Sequence, residues 1–243
     1  MGDSFSLIQK TFKESNYRDI VDKVMIIISK DIITKAFGNG VDTEELNGLI
    51  GYCYIDYTEG ISFQPCAAIS SGDDWLQLRD LPNYETMYVF RFRDNDISNT
   101  YKQGDRVMEL HNIPEDALLM NPEDLNMDMS MFDKFIERFD CYKPSDDVLH
   151  IRELKHLDDF RNELYPDDVK VLLYREGKDI EQVWVRTMFL GEHTMFGKLL
   201  NEPYGDLDFH EGEIIEFQMI QSGDNVENRV LVTTGRKAEL VES

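Results

Sequence analysis

The sequence predicts an α+β protein of two small units, each a short-stranded, mostly antiparallel sheet packed by one or two helices. Three observations carry that prediction. Short runs rich in β-branched and aromatic residues, broken by Gly, Ser and Pro, fill residues 50–93 and return over 169–234. Between them, apolar residues fall at helical spacing at Phe132, Phe135, Ile136 and Phe139, and again at Ile151, Leu154, Leu157, Phe160 and Leu164. The polar stretch Lys143-Pro144-Ser145-Asp146-Asp147 separates the two helical stripes, which sets the expected units at 1–145 and 146–243.

Taken in order, Phe5, Ile8 and Phe12 stand at i, i+3 and i+7 behind Ser4, an N-cap residue type, so a short helix is expected over Ser4–Glu14. Val24 to Ser29 is apolar on both faces and reads as a buried strand, ended by the breaker Gly38-Asn39-Gly40. Asp42-Thr43-Glu44-Glu45 opens with a capping residue and places acids in a first turn, which predicts one or two helical turns. Gly51–Tyr57, Ile61–Ile69, Trp75–Leu78 and Thr86–Arg93 then form an antiparallel meander. Pro65 has no N–H for a ladder, so it belongs at a bulge or an edge.

After Val107–His111, Ser130 and Asp133 are spaced as a capping box ahead of the Phe132–Phe139 stripe. The second stripe, from Ile151, closes at Tyr165-Pro166. Five strands follow, at Val169–Tyr174, Gln182–Leu190, Met195–Leu200, Glu213–Ile220 and Arg229–Thr234, with a hairpin turn at Glu176-Gly177-Lys178-Asp179. They suggest a small sheet or half-closed barrel packed by the helix before it.

The charge excludes several functions. Against 48 Asp+Glu there are 25 Lys+Arg, a formal net charge of -23. Phosphate contacts need clustered Lys and Arg, so neither nucleic acid nor an anionic membrane is an expected partner. The longest apolar run, Val24 to Ile28, is far short of the ~20 residues that span a bilayer. Met1-Gly2-Asp3 starts no basic, apolar leader, and Cys53, Cys66 and Cys141 are odd in number without C-x-x-C spacing. A cytoplasmic protein with reduced, packed thiols is therefore expected.

No motif assigns catalysis. P-loop, G-x-G-x-x-G and G-x-S-x-G patterns are absent. The acidic stretches starting at Asp94, Asp124 and Asp206 each lack the glycine of a calcium loop. His150, Glu153 and His156, at i, i+3 and i+6, do not match a zinc-binding helix, and Pro65-Cys66 lacks the second thiolate of a deaminase. No catalytic residue, metal site or cofactor is assigned, and no enzyme activity is expected.

The acid is unevenly placed. From Met108 to Lys170 there are 17 acids and 7 bases, a local charge of -10 (7 minus 17). Asp146, Asp147, Asp158, Asp159 and Asp167 are the candidate docking residues for a basic protein partner, with an ordinary solvated surface as the alternative. Tyr52, Tyr54, Trp75 and Trp184 are either core aromatics or the walls of a pocket between the halves, which would suit a small-molecule-binding protein or an enzyme.

Val183-Trp184-Val185-Arg186, Gly197 through Asn201-Glu202-Pro203, and Glu211-Gly212-Glu213-Ile214-Ile215-Glu216-Phe217 resemble the YegJ-like domains, an uncharacterised bacterial family, over residues 169–221. More faintly, Ile28-Ser29-Lys30-Asp31-Ile32-Ile33, Gly51-Tyr52-Cys53-Tyr54 and Ser71-Gly72-Asp73-Asp74 are similar to a related family of immunity proteins from bacterial polymorphic toxin systems, although the S-G-W element is missing. The second resemblance implies neutralisation of a cognate toxin by binding, and neither implies an enzyme.

Overall fold

The computed structural model describes residues 10–37, 42–71, 76–81, 87–91, 107–111, 113–221 and 229–238. The chain divides into two compact units, Met1–Lys143 and Pro144–Ser243.

In the first unit, β1 (Lys10–Thr11) leads through a 3₁₀ turn (Phe12–Glu14) and α1 (Tyr17–Ile20) into β2 (Lys23–Ile28). Then follow α2 (Lys30–Phe37), β3 (Gly48–Asp56), β4 (Gly60–Ser71), β5 (Leu76–Arg79), β6 (Met87–Arg91), β7 (Val107–His111) and β8 (Leu118–Met120). The eight strands run in the order β1-β8-β2-β3-β4-β6-β7, with β5 also paired to β4. Only β6 and β7 run parallel among these pairs.

β2 is apolar on both faces because the sheet is covered on both. Met25 and Ile27 pack with Ile20 from α1 and with Ile32, Ile33 and Phe37 from α2. Val24 and Ile26 point the other way, into a second cluster with Tyr52, Tyr54, Phe132 and Phe139. That second layer is the predicted Phe132–Phe139 stripe, which folds as a 3₁₀ turn (Met129–Phe132), α3 (Asp133–Ile136) and a second 3₁₀ stretch (Glu137–Tyr142). Its cap is Asp128, whose carboxylate accepts the Ser130 N–H at 3.1 Å, and not Ser130 itself.

Other local expectations change. Phe12–Glu14 is a single 3₁₀ turn preceded by a strand, so no helix runs to Glu14, and residues 1–9 lie outside the described residues. Asp42 accepts the Glu44 N–H at 3.3 Å and makes a turn where helical turns were expected, because a short carboxylate competes with the helix for backbone donors. Pro65 does sit at a bulge. Ile50 pairs with Ala67 and Gly51 with Pro65, leaving Cys66 as the extra residue.

In the second unit, α4 (Asp146–Glu153) and a 3₁₀ stretch (Lys155–Phe160) precede β9 (Asp168–Leu173), β10 (Glu181–Leu190), β11 (Met195–Leu199), β12 (Ile214–Gln221) and β13 (Arg229–Ala238). The five strands close into a barrel, β10-β11-β12-β13-β9, where a small sheet or half-closed barrel was expected. Closure comes from the parallel pairing of Val232 with Leu172. Alternation along β9 and β10 turns Val169, Val171, Leu173, Val183 and Val185 inward, and Ile151 and Leu157 from the helical segment join the same core. The expected single helix from Ile151 breaks at Leu154, whose ψ of 85° is not helical. Among the described residues, no helix is long and apolar enough to cross a membrane.

Candidate protein interface

The acid-rich segment that follows Pro144 begins as a capped helix. Ser145 Oγ accepts the Val148 N–H at 3.3 Å, and Asp146 and Asp147 occupy the first turn, where the helix dipole favours negative charge. Helical spacing then sorts the side chains. Val148, Ile151 and Arg152 turn inward, while Asp146, Asp147, Leu149, His150 and Glu153 face solvent.

The inward cations are consumed inside the unit. Arg152 Nε and Nη2 each donate to the Asp167 carboxylate at 2.7 Å, with side-chain exposures of 5% and 1%. Arg161 donates from Nη1 to the Pro166 carbonyl at 2.6 Å, from Nη2 to the Ile151 carbonyl at 2.5 Å, and from Nε to Asp158 at 3.3 Å. The Ile151 carbonyl, at the end of α4, accepts this bond in addition to the Leu154 N–H at 3.1 Å. Next to Asp167, Asp168 receives Arg186 Nε and Nη2 at 2.7 and 2.9 Å. Burial still pushes the Asp168 carboxyl above its ordinary value, with Asp167 adding to the effect and Arg186 opposing it.

The result sorts the side chains: Arg152 and Arg161 turn inward, Asp167 and Asp168 are buried against Arg152 and Arg186, and Asp146, Asp147, Glu153, Asp158 and Asp159 face solvent together with Lys155. Asp146 and Asp147 on α4, and Asp158 and Asp159 on the 3₁₀ stretch beyond the break at Leu154, are exposed, Asp158 while paired to Arg161. Asp167 is not among them. Its carboxylate is sealed against Arg152 and cannot meet a partner, a correction to the sequence expectation. An aspartate doublet gave no hint of this, because burial is decided by Arg152, fifteen residues away. Glu153 and Leu149, 42% exposed between the acids, belong to the same face and were missed. Their signal was the Ser145 cap, which starts the helix before Ile151. Among the described residues, Asp146, Asp147, Glu153 and Asp159 form no ion pair.

The aromatic candidates are dispersed. Tyr52 and Tyr54 are buried in the first unit against Phe139, with ring centroids 5.1 and 4.8 Å away, so they are core residues and line no open site. Trp184 lies half-buried on β10 of the second unit with the Lys170 ammonium 5.3 Å from its ring. Trp75 lies outside the described residues.

A cleft of about 420 Å³ opens in the first unit, lined by Lys30, Glu44, Glu45, Asn47, Ser71 and Arg79. Its polar groups bind one another. Lys30 Nζ donates to the Glu44 and Leu46 carbonyls, the Asn47 amide clips both ends of Ser71, and Arg79 reaches Ser70 and Glu45. No group of three or more His, Cys, Asp or Glu positioned for a metal occurs among the described residues. Burial pushes the Cys53 thiol well up and the Cys66 thiol up to about 11, which removes both as nucleophiles at neutral pH.

The residues behind the YegJ-like resemblance act as latches on the loop between β11 and β12. Asn201 Oδ1 accepts the Trp184 N–H at 2.8 Å. Glu202 accepts the Glu211 N–H at 2.7 Å and meets His210 Nδ1 at 2.8 Å, while Glu213 accepts the His210 N–H at 2.8 Å. Glu181 accepts the N–H groups of Tyr204 and Gly205, which fixes the fully exposed Tyr204 at the loop tip. These contacts account for the motif without chemistry. No family model, curated protein or solved structure matches the chain.

Proposed function

We propose that the protein is a non-catalytic acidic binding protein, an immunity-type inhibitor that occludes a basic toxin in the bacterial cytoplasm. The outward side of α4 and the following 3₁₀ stretch forms the docking face: Asp146, Asp147, Glu153, Asp158 and Asp159 supply the charge and Leu149 an apolar contact. The observation that carries the reading is the excess of exposed carboxylates on this segment, five against the exposed Lys155, with Arg152 and Arg161 turned inward. Such a field raises the rate of encounter with a cationic surface and rejects anionic ones. The buried arginine pairs hold the face in one arrangement before binding, which reduces the ordering cost of association.

The test is co-purification with the basic products of the genes beside its own. The expected result is a complex formed at low salt and lost steeply as salt rises. A failure of every such product to bind at low salt overturns the reading.

A further inference from the structure

β9 begins beside the Arg152–Asp167 and Arg186–Asp168 pairs and ends at Leu173, where the chain turns back through residues 174–180 into β10. At this far end of the barrel stand the three most exposed large apolar side chains described in the second unit. Tyr174 is 53% exposed and Ile180 59% on the hairpin, and Tyr204 is fully exposed on the neighbouring loop between β11 and β12. Hairpin and loop are laced together. Glu181, next to Ile180, accepts the N–H groups of Tyr204 and Gly205 at 2.8 and 3.0 Å. Arg175, next to Tyr174, pairs with Asp208, and Lys178 pairs with Asp206 at 3.6 Å. Leu207 and Phe209 are buried in the barrel core and anchor the same loop from below. A ring displayed on a backbone held in this way costs little ordering when it is covered, which is the character of a binding hot spot.

The charge around these side chains has one sign left over. On residues 174–181 and 200–213 every cation is engaged: Arg175 by Asp208, Lys178 by Asp206 and His210 by Glu202. Glu176, Asp179 and Glu211 are exposed and have no ion-pair partner among the described residues.

We propose that this end of the barrel docks an arginine-bearing segment of a polypeptide partner, at a site separate from the acids of α4. Exposed tyrosine beside a free carboxylate suits a guanidinium: the planar group stacks on the phenol ring while its N–H fork reaches the carboxylate. A lysine ammonium, a compact and strongly hydrated point charge, makes neither contact as well. An anionic partner would meet three carboxylates that nothing neutralises, and a purely apolar one would strip them of water without return. Three apolar side chains make a small patch, so the occupant is a short segment held with modest affinity.

The probes are a short peptide alternating arginine with glycine and its lysine counterpart of equal charge, titrated by calorimetry at low salt. The receiving protein is the full chain carrying Asp147→Lys, Glu153→Lys and Asp159→Lys, so the acids of α4 do not account for what binds. The arginine peptide is expected to bind this chain severalfold more tightly than the lysine peptide. Tyr204→Ala, at a fully exposed position where folding is not at risk, is expected to weaken the arginine peptide severalfold and leave the thermal midpoint in place. Glu176→Gln combined with Asp179→Asn is expected to weaken it as well. No binding of the arginine peptide, equal binding of the two peptides, or binding that Tyr204→Ala leaves unchanged overturns the proposal. Toxin capture by the α4 acids is read on the chain without these lysines, so either idea can fail alone.

Discussion

Arg152 on α4 and Asp167 at the foot of β9 form a two-pronged ion pair, each nitrogen 2.7 Å from a carboxylate oxygen and both side chains closed to solvent. It joins the acidic helix to the barrel. Removing either partner leaves a buried charge uncompensated, a loss of about 3–5 kcal/mol. Arg152→Met and Asp167→Asn are each expected to lower stability by that order in urea unfolding. The double variant Arg152→Met, Asp167→Leu is expected to lie closer to the wild type than either single one, since neither partner is then left as an uncompensated buried charge.

Gly51 faces the Pro65 bulge so closely that a Cβ there would run into the Gln64 carbonyl oxygen and stand 2.5 Å from Pro65 Cα. Those atoms are backbone and cannot rotate away. Gly51→Ala is therefore expected to destabilise the first unit by ~1–3 kcal/mol, the range of overpacked cores. Gly177, whose added Cβ would meet nothing within 4 Å, serves as a control for crowding, although its φ of 78° still penalises alanine.

Glu202, whose carboxylate lies 2.8 Å from Nδ1, favours the protonated form of His210 and raises its pKa above the ordinary 6.5. A raised folded-state pKa gives stability that is complete below 6.5 and fades as pH climbs through the folded value. NMR titration of the His210 ring is expected to give a midpoint above 6.5, and Glu202→Gln to bring it down. An unchanged midpoint in that variant would contradict the pairing.

The three thiols differ in access: Cys53 is buried, Cys66 half-buried and Cys141 exposed. With the Cys66 thiol pushed up to about 11 and Cys53 higher still, only Cys141 is expected to react rapidly with a thiol reagent near pH 7. Cys141→Ser should remove the fast phase, with the other two reacting only on unfolding.

Much of the fold was legible because periodicity reports burial. The unbroken apolar run of β2 announced a strand covered on both sides, and Pro65 announced a bulge, since both follow from the backbone alone. α2 was not legible. Ile32, Ile33 and Thr34 are β-branched, and packing against Met25 and Ile27 outweighs that preference. Barrel closure was hidden for another reason: the Val232–Leu172 pairing joins strands sixty residues apart, and no local pattern encodes it. At the candidate interface, composition located the acids but not their directions. Asp158 and Asp159 could be read from the sequence, whereas the fate of Asp167 depended on an arginine that the helix register brings to it.

Capture of a basic toxin by the exposed acids of the 146–159 segment is the proposed function. Its most direct test is growth rescue when the chain is co-expressed with the basic product of a neighbouring gene, comparing the wild type with an Asp147→Lys, Glu153→Lys, Asp159→Lys variant that retains its thermal midpoint. Rescue by the wild type and its loss in the variant is the predicted result. Equal rescue by both chains would contradict the account.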